Sequence, residues 1–328
     1  MAKDKLRILS GIRPTGPLHL GNLYGALKNW VKLQEQYQCF YFIADWHALT
    51  TEFEHTEIIK PATRDIIMDW LAVGLDPEQS VLFIQSRIKE HSELCLLLGM
   101  LVTVSQLERV PSYKDFQQAT GRDLCNYGFL GYPVLQSADI MMYRAHGVPV
   151  GEDQVPHIEL TRDIARRFNR LYGEIFPEPK AILTPTPRVP GTDGRKMSKS
   201  YENAIYLADA PEVVEQKIKT MITDPARKRR SDPGDPEKCP VWDFHQIYSD
   251  EDTRKWVMAG CKSAGIGCLD CKGKIIPKVI AELLPIGKMR RYFEDHPGEV
   301  DEVIEDGIDR AQAFARETME KVREAMKI

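Results

Sequence analysis

Three observations predict an α/β fold with a doubly wound parallel sheet and a C-terminal all-helical domain. Short apolar runs typical of buried strands alternate with helical patterns through the first half of the chain. Polar residues directly follow several of these runs, at the strand ends where such sheets bind ligands. Past the middle of the chain the periodicity becomes almost wholly helical. We therefore expect a Rossmann-like domain over residues 1–200 and a helical domain over residues 201–328.

The individual elements follow from the spacing of the apolar residues. Strand-like runs occupy residues 8–9, 39–44, 81–85 and 148–150, and helical patterns occupy residues 57–73, 91–104, 135–143 and 156–170. Further helical patterns follow at residues 211–221, 275–293 and 299–325. The last of these repeats apolar residues among many charges, at Val303, Ile304, Ile308, Ala311, Phe314 and Ala315. It predicts one or two amphipathic helices packed on the helical bundle.

Length and composition narrow the class of protein. The 328 residues, 43% hydrophobic and 28% charged, suit a chain of about two domains. No apolar run approaches the roughly 20 residues of a membrane span, and the N-terminus lacks the apolar core of a secretory signal. We therefore expect a cytoplasmic protein without a membrane partner. The net charge is only −4, so any contact with nucleic acid must use local basic patches.

The first motif with chemical content is His19-Leu20-Gly21-Asn22. It follows the first strand and a loop at residues 10–16, and a helix beginning near residue 17 or 18 would place His19 and Asn22 on its first turn. Unpaired N–H groups and the positive end of the helix dipole favour phosphate there. Gly21 lets a ligand approach the backbone closely. The alternative interpretation is a plain amphipathic helix with a solvated histidine.

The second motif, Lys196-Met197-Ser198-Lys199-Ser200, follows a Pro- and Gly-rich stretch at residues 184–194 that is typical of a loop. Adenylyl transfer places developing negative charge on the leaving pyrophosphate. Two lysines and two hydroxyls carried on a loop would stabilise that charge in the transition state. The alternative is a solvated basic loop.

Together the two motifs resemble a known family. Residues 14–22 and 196–200 are similar, in order and in separation, to the two defining motifs of class I aminoacyl-tRNA synthetases. Within that class the blocks at 11–16, 45–47, 137–140, 148–154 and 157–163 resemble tryptophanyl-tRNA synthetases, and the resemblance covers most of residues 6–230. It implies ligation of L-tryptophan to tRNA(Trp) through a tryptophanyl-adenylate, with ATP and Mg²⁺, by a homodimer.

The resemblance also implies an ATP site. His19, Asn22, Lys196 and Lys199 take the catalytic positions, touching phosphate rather than acting as acids or bases. Lys114 is a weaker phosphate candidate. The implied ATP-binding residues are Arg13, Pro14, Thr15, Gly21, Asn22, Gly151, Glu152, Asp153, Val189, Lys196, Met197, Ser198, Lys199 and Ser200.

Asp139 is the strongest specificity candidate, because its carboxylate lies within an apolar helical run. A buried carboxylate is a natural acceptor for an indole N–H, although it would serve a tyrosine hydroxyl equally well. A surface position on the polar face of the helix is the alternative. At Leu9, Arg13 and Gln136 the sequence departs from the residues common in the family. The implied tryptophan-binding residues are Leu9, Arg13, His47, Tyr132, Gln136, Asp139, Val148, Val150 and Gln154.

Four of the seven cysteines cluster in the C-terminal part with the spacing C-x21-C-x6-C-x2-C. In a cytosolic protein such a quartet indicates a metal site rather than two disulfides. Both Zn²⁺ and a [4Fe–4S] cluster accept four thiolates, so spacing alone does not decide between them. A subset of bacterial enzymes in the family carries a [4Fe–4S] cluster on such a quartet, and the resemblance favours it. The four ligands would be Cys239, Cys261, Cys268 and Cys271.

Basic residues around the quartet predict contact with the tRNA backbone or anticodon, with Trp242 or Phe244 stacking on a base. They are residues 227–230, Lys262, Lys272, Lys274 and Lys278. Solvated charge is the alternative for any one of them. Three other functions remain open at this point: a tyrosyl-tRNA synthetase, a small-molecule adenylyltransferase, and a synthetase-like RNA-binding or regulatory protein.

Overall fold

A parallel sheet forms the centre of the molecule. The computed structural model describes residues 5–110, 126–183, 187 and 189–328. The strands are β1 (Arg7–Ile12), β2 (Gln38–Ile43), β3 (Ser80–Ile84), β4 (Gly147–Val150) and β5 (Lys180–Leu183). They pair in parallel in the order β3-β2-β1-β4-β5, so the strand order reverses between β1 and β4. The doubly wound sheet expected from the sequence is confirmed.

Helices cover the sheet and then form the C-terminal part. In the first half they are α1 (Leu20–Asn22), α2 (Lys28–Leu33), α3 (Asp45–Glu52), α4 (Ile59–Val73), α5 (Glu90–Gly99), α6 (Val104–Leu107), α7 (Tyr127–Met142) and α8 (Val155–Tyr172). The C-terminal part contains α9 (Pro211–Thr220), α10 (Pro240–Tyr248), α11 (Glu251–Lys262), α12 (Cys268–Asp295) and α13 (Pro297–Met326). A π-helical segment, Leu23–Leu27, joins α1 to α2. Short 3₁₀ helices lie at Thr56–Ile58, Gln85–Arg87, Glu152–Gln154, Lys199–Tyr201 and Pro236–Lys238.

The first helix begins later than the sequence suggests. His19 has an extended backbone (φ −131°) and immediately precedes α1. Of the two residues expected on the first helical turn, His19 and Asn22, only Asn22 therefore lies there. The reason is a backbone pairing with a distant segment, in which Leu20 N–H donates to the Ile205 carbonyl and Leu207 N–H donates to the Leu18 carbonyl. This pairing holds the chain extended up to His19. The prediction of a helix start near residue 17 or 18 was wrong by two or three residues.

The last helix packs on the sheet domain rather than on the helical bundle. The predicted apolar face of α13 is buried as expected, at Ile304, Ile308, Ala311 and Ala315. However, this face lies against β3, where a Cβ atom built on Gly307 would be 1.7 Å from the Leu82 carbonyl oxygen. The expectation of packing on the bundle was wrong, because an amphipathic pattern shows that a face is buried and does not show what buries it. Ion pairs fasten the same helix to the sheet domain, namely Arg87–Glu305, Arg144–Glu317 and Arg323–Glu93.

This close approach predicts an unusual cost for a small substitution. Gly307→Ala would normally favour a helix by roughly 1 kcal/mol. Here we expect it to lower the free energy of unfolding by about 1–3 kcal/mol, because the contact is with backbone that cannot rotate away. Urea unfolding measures the change, with Gly287→Ala in α12 as the control, since no atom lies within 4 Å of its added Cβ. A Gly307→Ala variant as stable as the control variant would contradict the close packing of α13 on β3.

Candidate active site

A cavity of about 520 Å³ opens at the carboxyl ends of β1 and β4. Residues 9–13 at the end of β1 line one side of it, and residues 148–151 at the end of β4 line another. These two strands flank the point at which the strand order reverses, where doubly wound sheets bind their ligands. Helices α3 and α7 close the cavity with His47, Thr50 and Thr51 and with Tyr132, Gln136 and Asp139 respectively. The position and the mixed apolar and polar lining fit a small organic ligand.

Every residue implied for tryptophan binding lines this one cavity. These residues come from four separate parts of the chain, and they are Leu9, Arg13, His47, Tyr132, Gln136, Asp139, Val148, Val150 and Gln154. Gly151, from the implied ATP set, lines the same cavity. Of the residues expected to converge from the strand ends, Arg13, His47, Gly151 and Gln154 line this one crevice. Asp45, expected there as well, is not part of the lining and accepts hydrogen bonds from the backbone N–H groups of Trp46 and Ser86.

Asp139 is fully buried, so its placement on a polar surface is excluded. Its carboxylate accepts hydrogen bonds from Gln85 Nε2 at 2.9 Å to both oxygens, from His47 Nε2 at 2.8 Å and from His91 Nδ1 at 2.6 Å. Burial acts to raise the pKa of Asp139, but the hydrogen bonds from His47 and His91 hold it below its ordinary value. The group is therefore an anion inside the protein, at the wall of the cavity.

Two aromatic side chains stand beside this carboxylate. The rings of His47 and Tyr132 meet edge to face, with centroids 6.4 Å apart, and Tyr132 Oη lies 3.4 Å from His157 Nε2. Burial lowers the pKa of His157 to about 4, so this imidazole is neutral at pH 7. Tyr132 is thereby held in place at the cavity wall.

The two motifs singled out by sequence contact each other. Lys199 Nζ donates to the Gly16 carbonyl oxygen at 2.6 Å, in the loop that precedes His19. A Cβ on Gly21 would lie 3.7 Å from Met197 Cβ, and Met197 is itself buried. Residues 196–200 therefore lie over the start of the first helix, although almost 180 residues separate the two in sequence.

Burial and neighbouring charges in this contact lower the pKa values of both His19 and Lys199. Burial, with Lys199 and Lys196 nearby, lowers the pKa of His19 to about 4, so the imidazole is neutral at pH 7. His19 Nδ1 is buried without a hydrogen-bond partner among the described residues. Burial also lowers the pKa of Lys199 to about 8, with Asp69 opposing the change and Arg13 adding to it. Lys199 therefore remains mostly cationic at pH 7.

Asn203, which the sequence analysis did not single out, holds the second motif in shape. It is almost completely buried, and its Oδ1 accepts from the Ser198 backbone N–H at 2.8 Å. Its Nδ2 donates to Asp193 Oδ1 at 2.6 Å and to the Lys196 carbonyl at 3.2 Å. An asparagine three residues beyond a Lys-Ser run is a common loop residue, so the sequence carried no distinctive signal for this role.

The other implied ATP residues lie on loops and short helices and do not line the cavity itself. Pro14 and Thr15 follow β1, and the Thr15 N–H donates to the Arg13 carbonyl. Glu152 and Asp153 are exposed on the short helix after β4, whereas Val189 is buried next to Pro190, which pairs with Lys196. Ser198 and Ser200 lie at the start of the short helix Lys199–Tyr201 and within it. Lys114 lies outside the described residues.

The four C-terminal cysteines come together around the start of α12. Burial, together with the nearby thiols of Cys239, Cys261 and Cys268, raises the pKa of Cys271 to about 12, so the four cysteines are near neighbours. His245 Nε2 lies 3.1 Å from Cys271 Sγ, and Arg227 Nη1 lies 3.8 Å from Cys261 Sγ. The six cysteines of the described ranges are all free thiols, and Cys125 lies outside those ranges. Within the same ranges, no three Cys, His, Asp or Glu side chains are arranged to hold a metal ion.

Three of the residues proposed for tRNA contact are buried instead. Arg227 donates to the carbonyls of Arg230 and Ile266. Lys272 Nζ donates hydrogen bonds to the carbonyls of Lys219 and Met221, at the end of α9. The predictions for Arg227 and Lys272 were wrong, because a basic residue in sequence does not reveal which way its side chain points. Phe244 is fully buried, so of the two stacking candidates the half-buried Trp242 remains. Exposed basic residues remain nearby, at Lys228, Arg229, Arg230, Lys262 and Lys274.

Known proteins resemble the chain over its whole length. The family model for class I tRNA synthetases (W and Y) matches residues 1–283. A tryptophan–tRNA ligase from Thermotoga maritima is 57% identical, covering 98% of this chain and 99% of the relative, and one from Ralstonia nicotianae is 47% identical with 98% coverage of each. A tryptophanyl-tRNA synthetase structure from Campylobacter jejuni, complexed with ADP and tryptophan, superposes with a TM-score of 0.87 at 34% identity, covering 98% of this chain and 100% of the other. In the described part of the chain, no helix is long and apolar enough to cross a membrane.

Proposed function

The chain belongs to the class I tRNA synthetases of the tryptophan and tyrosine group, and from this membership we propose how its residues join tryptophan to tRNA. The enzyme is a tryptophan–tRNA ligase, and its relatives do not favour the tyrosine alternative. ATP and Mg²⁺ are expected for the family. The observation that supports the mechanism best is the contact between the two motifs, in which Lys199 Nζ donates to the Gly16 carbonyl. Arg13, three residues before Gly16, lines the cavity at β1 and β4 and lies close enough to Lys199 to lower its pKa.

The proposed reaction has two steps. A carboxylate oxygen of tryptophan attacks the α-phosphorus of ATP, the bond to the bridging oxygen breaks, and pyrophosphate leaves with the electron pair. A hydroxyl of the terminal tRNA ribose then attacks the carbonyl of the tryptophanyl-adenylate and releases AMP. The protein forms no covalent intermediate. Its contribution is alignment of the reactants and stabilisation of charge.

On the nucleotide side, the loop lysines and the first helix hold the phosphates. Lys196 and Lys199 stabilise the charge that grows on the pyrophosphate, while neutral His19 and Asn22 contact phosphate as hydrogen-bonding groups. Asp153 or Glu152 binds the ribose hydroxyls. Mg²⁺ accompanies the phosphates without a dedicated cage of protein ligands.

On the amino-acid side, Asp139 accepts the indole N–H. Gln85, His47 and His91 hold this carboxylate from within the protein. Asp139 also lines the cavity, where the indole N–H would meet it. Tyr132 and Gln154 hold the ammonium and carboxylate ends of tryptophan, and Val148 and Val150 line the side-chain pocket.

Isotope exchange between pyrophosphate and ATP tests this proposal with all twenty amino acids in parallel. We expect exchange with tryptophan alone. Exchange that does not depend on an amino acid would identify a small-molecule adenylyltransferase. Exchange with tyrosine would overturn the assignment of Asp139, and no exchange at all would favour an RNA-binding or regulatory protein.

For the cysteine quartet we propose a [4Fe–4S] cluster held by Cys239, Cys261, Cys268 and Cys271. Four thiolates suit such a cluster, and the N–H groups of Arg227 and His245 stand next to two of the sulfurs, where they offset its negative charge. Gly234 leaves space at Cys261 Sγ, only 2.8 Å from where a Cβ would be. If the quartet held Zn²⁺ instead of a cluster, all four sulfurs would bind the same ion, each at about 2.3 Å. When bound, the group supplies a rigid link between the start of α10, which Cys239 precedes, α11, which carries Cys261, and α12, which carries Cys268 and Cys271.

Anaerobic purification tests the cluster. We expect a brown protein containing iron and acid-labile sulfide, with the visible absorption lost in Cys271→Ser and retained in Cys95→Ser, a cysteine outside the quartet. A colourless protein with stoichiometric zinc would reverse the choice of metal. A quartet that binds neither would remove the metal site altogether.

The partners follow the same division of the chain. We propose a catalytic domain over residues 1–200 and an anticodon-binding domain over residues 201–328, from which α13 returns to the sheet.

A homodimer is supported by exposed apolar side chains on or next to the neighbouring helices α5, α6 and α7, which a second copy would cover. They are Leu96, Met100, Val104 and Tyr127. The tRNA substrate and the free cysteines support a cytoplasmic location.

A further inference from the structure

His91 lies directly behind the carboxylate that faces the cavity. It is fully buried on α5 and does not line the cavity, so it cannot touch a ligand there. Its Nδ1 lies 2.6 Å from Asp139 Oδ1, the shortest of the hydrogen bonds to that carboxylate. Its Nε2 lies 2.9 Å from Tyr143 Oη. Tyr143, like His91, does not line the cavity.

Both ring nitrogens of His91 are hydrogen-bonded. Asp139 is an acceptor, so His91 Nδ1 carries a proton and donates to it. On the other side of the ring, His91 Nε2 and the Tyr143 hydroxyl form the second hydrogen bond. Burial raises the pKa of Tyr143 well above its ordinary value, so the hydroxyl keeps its proton. The imidazole of His91 is therefore held from both sides, by Tyr143 and by Asp139.

We propose that His91, held by Tyr143, is a positioning residue for tryptophan selection that fixes the orientation of the Asp139 carboxylate. The proposal rests on the function above, in which Asp139 accepts the indole N–H. The other two donors to Asp139, His47 and Gln85, do not fix the orientation of its carboxylate in this way. His47 lines the cavity and is exposed to the ligand, and Gln85 bridges both oxygens and so does not distinguish one from the other. His91 is the donor that holds Oδ1 from the side away from the ligand.

The test compares tryptophan with its benzothiophene analogue, in which sulfur replaces the indole N–H. For His91→Leu we expect the KM for tryptophan in pyrophosphate exchange to rise about 10- to 100-fold, as for a weakened hydrogen bond to a buried charge. The KM for the sulfur analogue and the KM for ATP should change less than about threefold. The ratio of the KM for the sulfur analogue to the KM for tryptophan, which measures discrimination, therefore falls. The kcat for tryptophan stays close to the wild-type value.

Two further variants keep the proposal testable if His91→Leu fails to fold. His91→Asn places an amide N–H near the position of Nδ1, and we expect it to restore most of the discrimination. Tyr143→Phe removes the hydroxyl that orients His91, and we expect it to lower discrimination between the two amino acids by a smaller factor, about two- to fivefold. A purely structural role would predict equal losses for both amino acids in every variant, and that result would overturn the proposal. If Asp139→Asn itself left the discrimination unchanged, the proposed function of Asp139 would fail instead.

Discussion

Replacing Lys199 with alanine is expected to slow adenylate formation by about 10²- to 10³-fold, the usual effect of removing one donor that stabilises transition-state charge. The KM for tryptophan should stay within about threefold of the wild-type value. Lys199 Nζ donates to the Gly16 carbonyl at 2.6 Å, which places its charge next to the phosphate site that we propose. Its charge therefore matters most when pyrophosphate departs, and not when tryptophan binds.

Single-turnover adenylate formation, followed with and without saturating tryptophan, separates these effects. Lys199→Arg keeps the positive charge and should retain more activity than the alanine variant. Lys219→Ala is the matched control, because Lys219 is a partly exposed lysine with only a surface ion pair to Glu215. Equal losses in rate and in tryptophan affinity would mean that the loop only binds the ground state.

Asp139→Asn is expected to lower kcat/KM for tryptophan by about 10²- to 10³-fold, chiefly through KM. The asparagine side chain has nearly the same shape, but it carries N–H donors that would face the donors of His47, Gln85 and His91. Burying such mismatched groups costs about 1–3 kcal/mol each. We therefore also expect the Asp139→Asn variant to have a lower free energy of unfolding than the wild type.

Pyrophosphate exchange and urea unfolding measure the two consequences on the same variant. Asp163→Asn is the control, since Asp163 is exposed on α8 and pairs only with Arg166 at the surface. A variant that keeps wild-type selectivity for tryptophan would show that Asp139 serves the fold and does not read the substrate. Lower stability with unchanged selectivity would lead to the same conclusion.

Local sequence patterns predicted those parts of the molecule that depend on neighbours along the chain. The alternation of apolar runs and helical patterns predicted four of the five described strands, and β5 was missed because its four residues are half exposed and carry no alternating pattern. The short helices α10 and α11 were not predicted either. The meeting of strand-end residues such as Arg13 and Gln154 in one crevice followed from the predicted parallel sheet, whereas the full set of nine residues implied for tryptophan came from the resemblance to a family.

Long-range packing accounts for what sequence could not show. The apolar stripe of α13 predicted a buried face, but its partner β3 is more than 200 residues away in the chain. The same limit applies to the two donors behind Asp139: His91 reaches it because α5 packs against α7, and Gln85 reaches it from the end of β3. A signal for Gln85 was available in its place at the end of a predicted strand, among apolar residues. His91, within an apolar helical pattern, gave none beyond its own polarity.

A crystal structure with tryptophan and a non-hydrolysable ATP analogue tests most directly whether both motifs grip the same nucleotide. The account predicts the phosphates between the start of the first helix, at residues 19–22, and the lysines of residues 196–199. It also predicts the indole nitrogen within hydrogen-bonding distance of the Asp139 carboxylate. A triphosphate that contacts only one of the two motifs, or an indole turned away from Asp139, would contradict it.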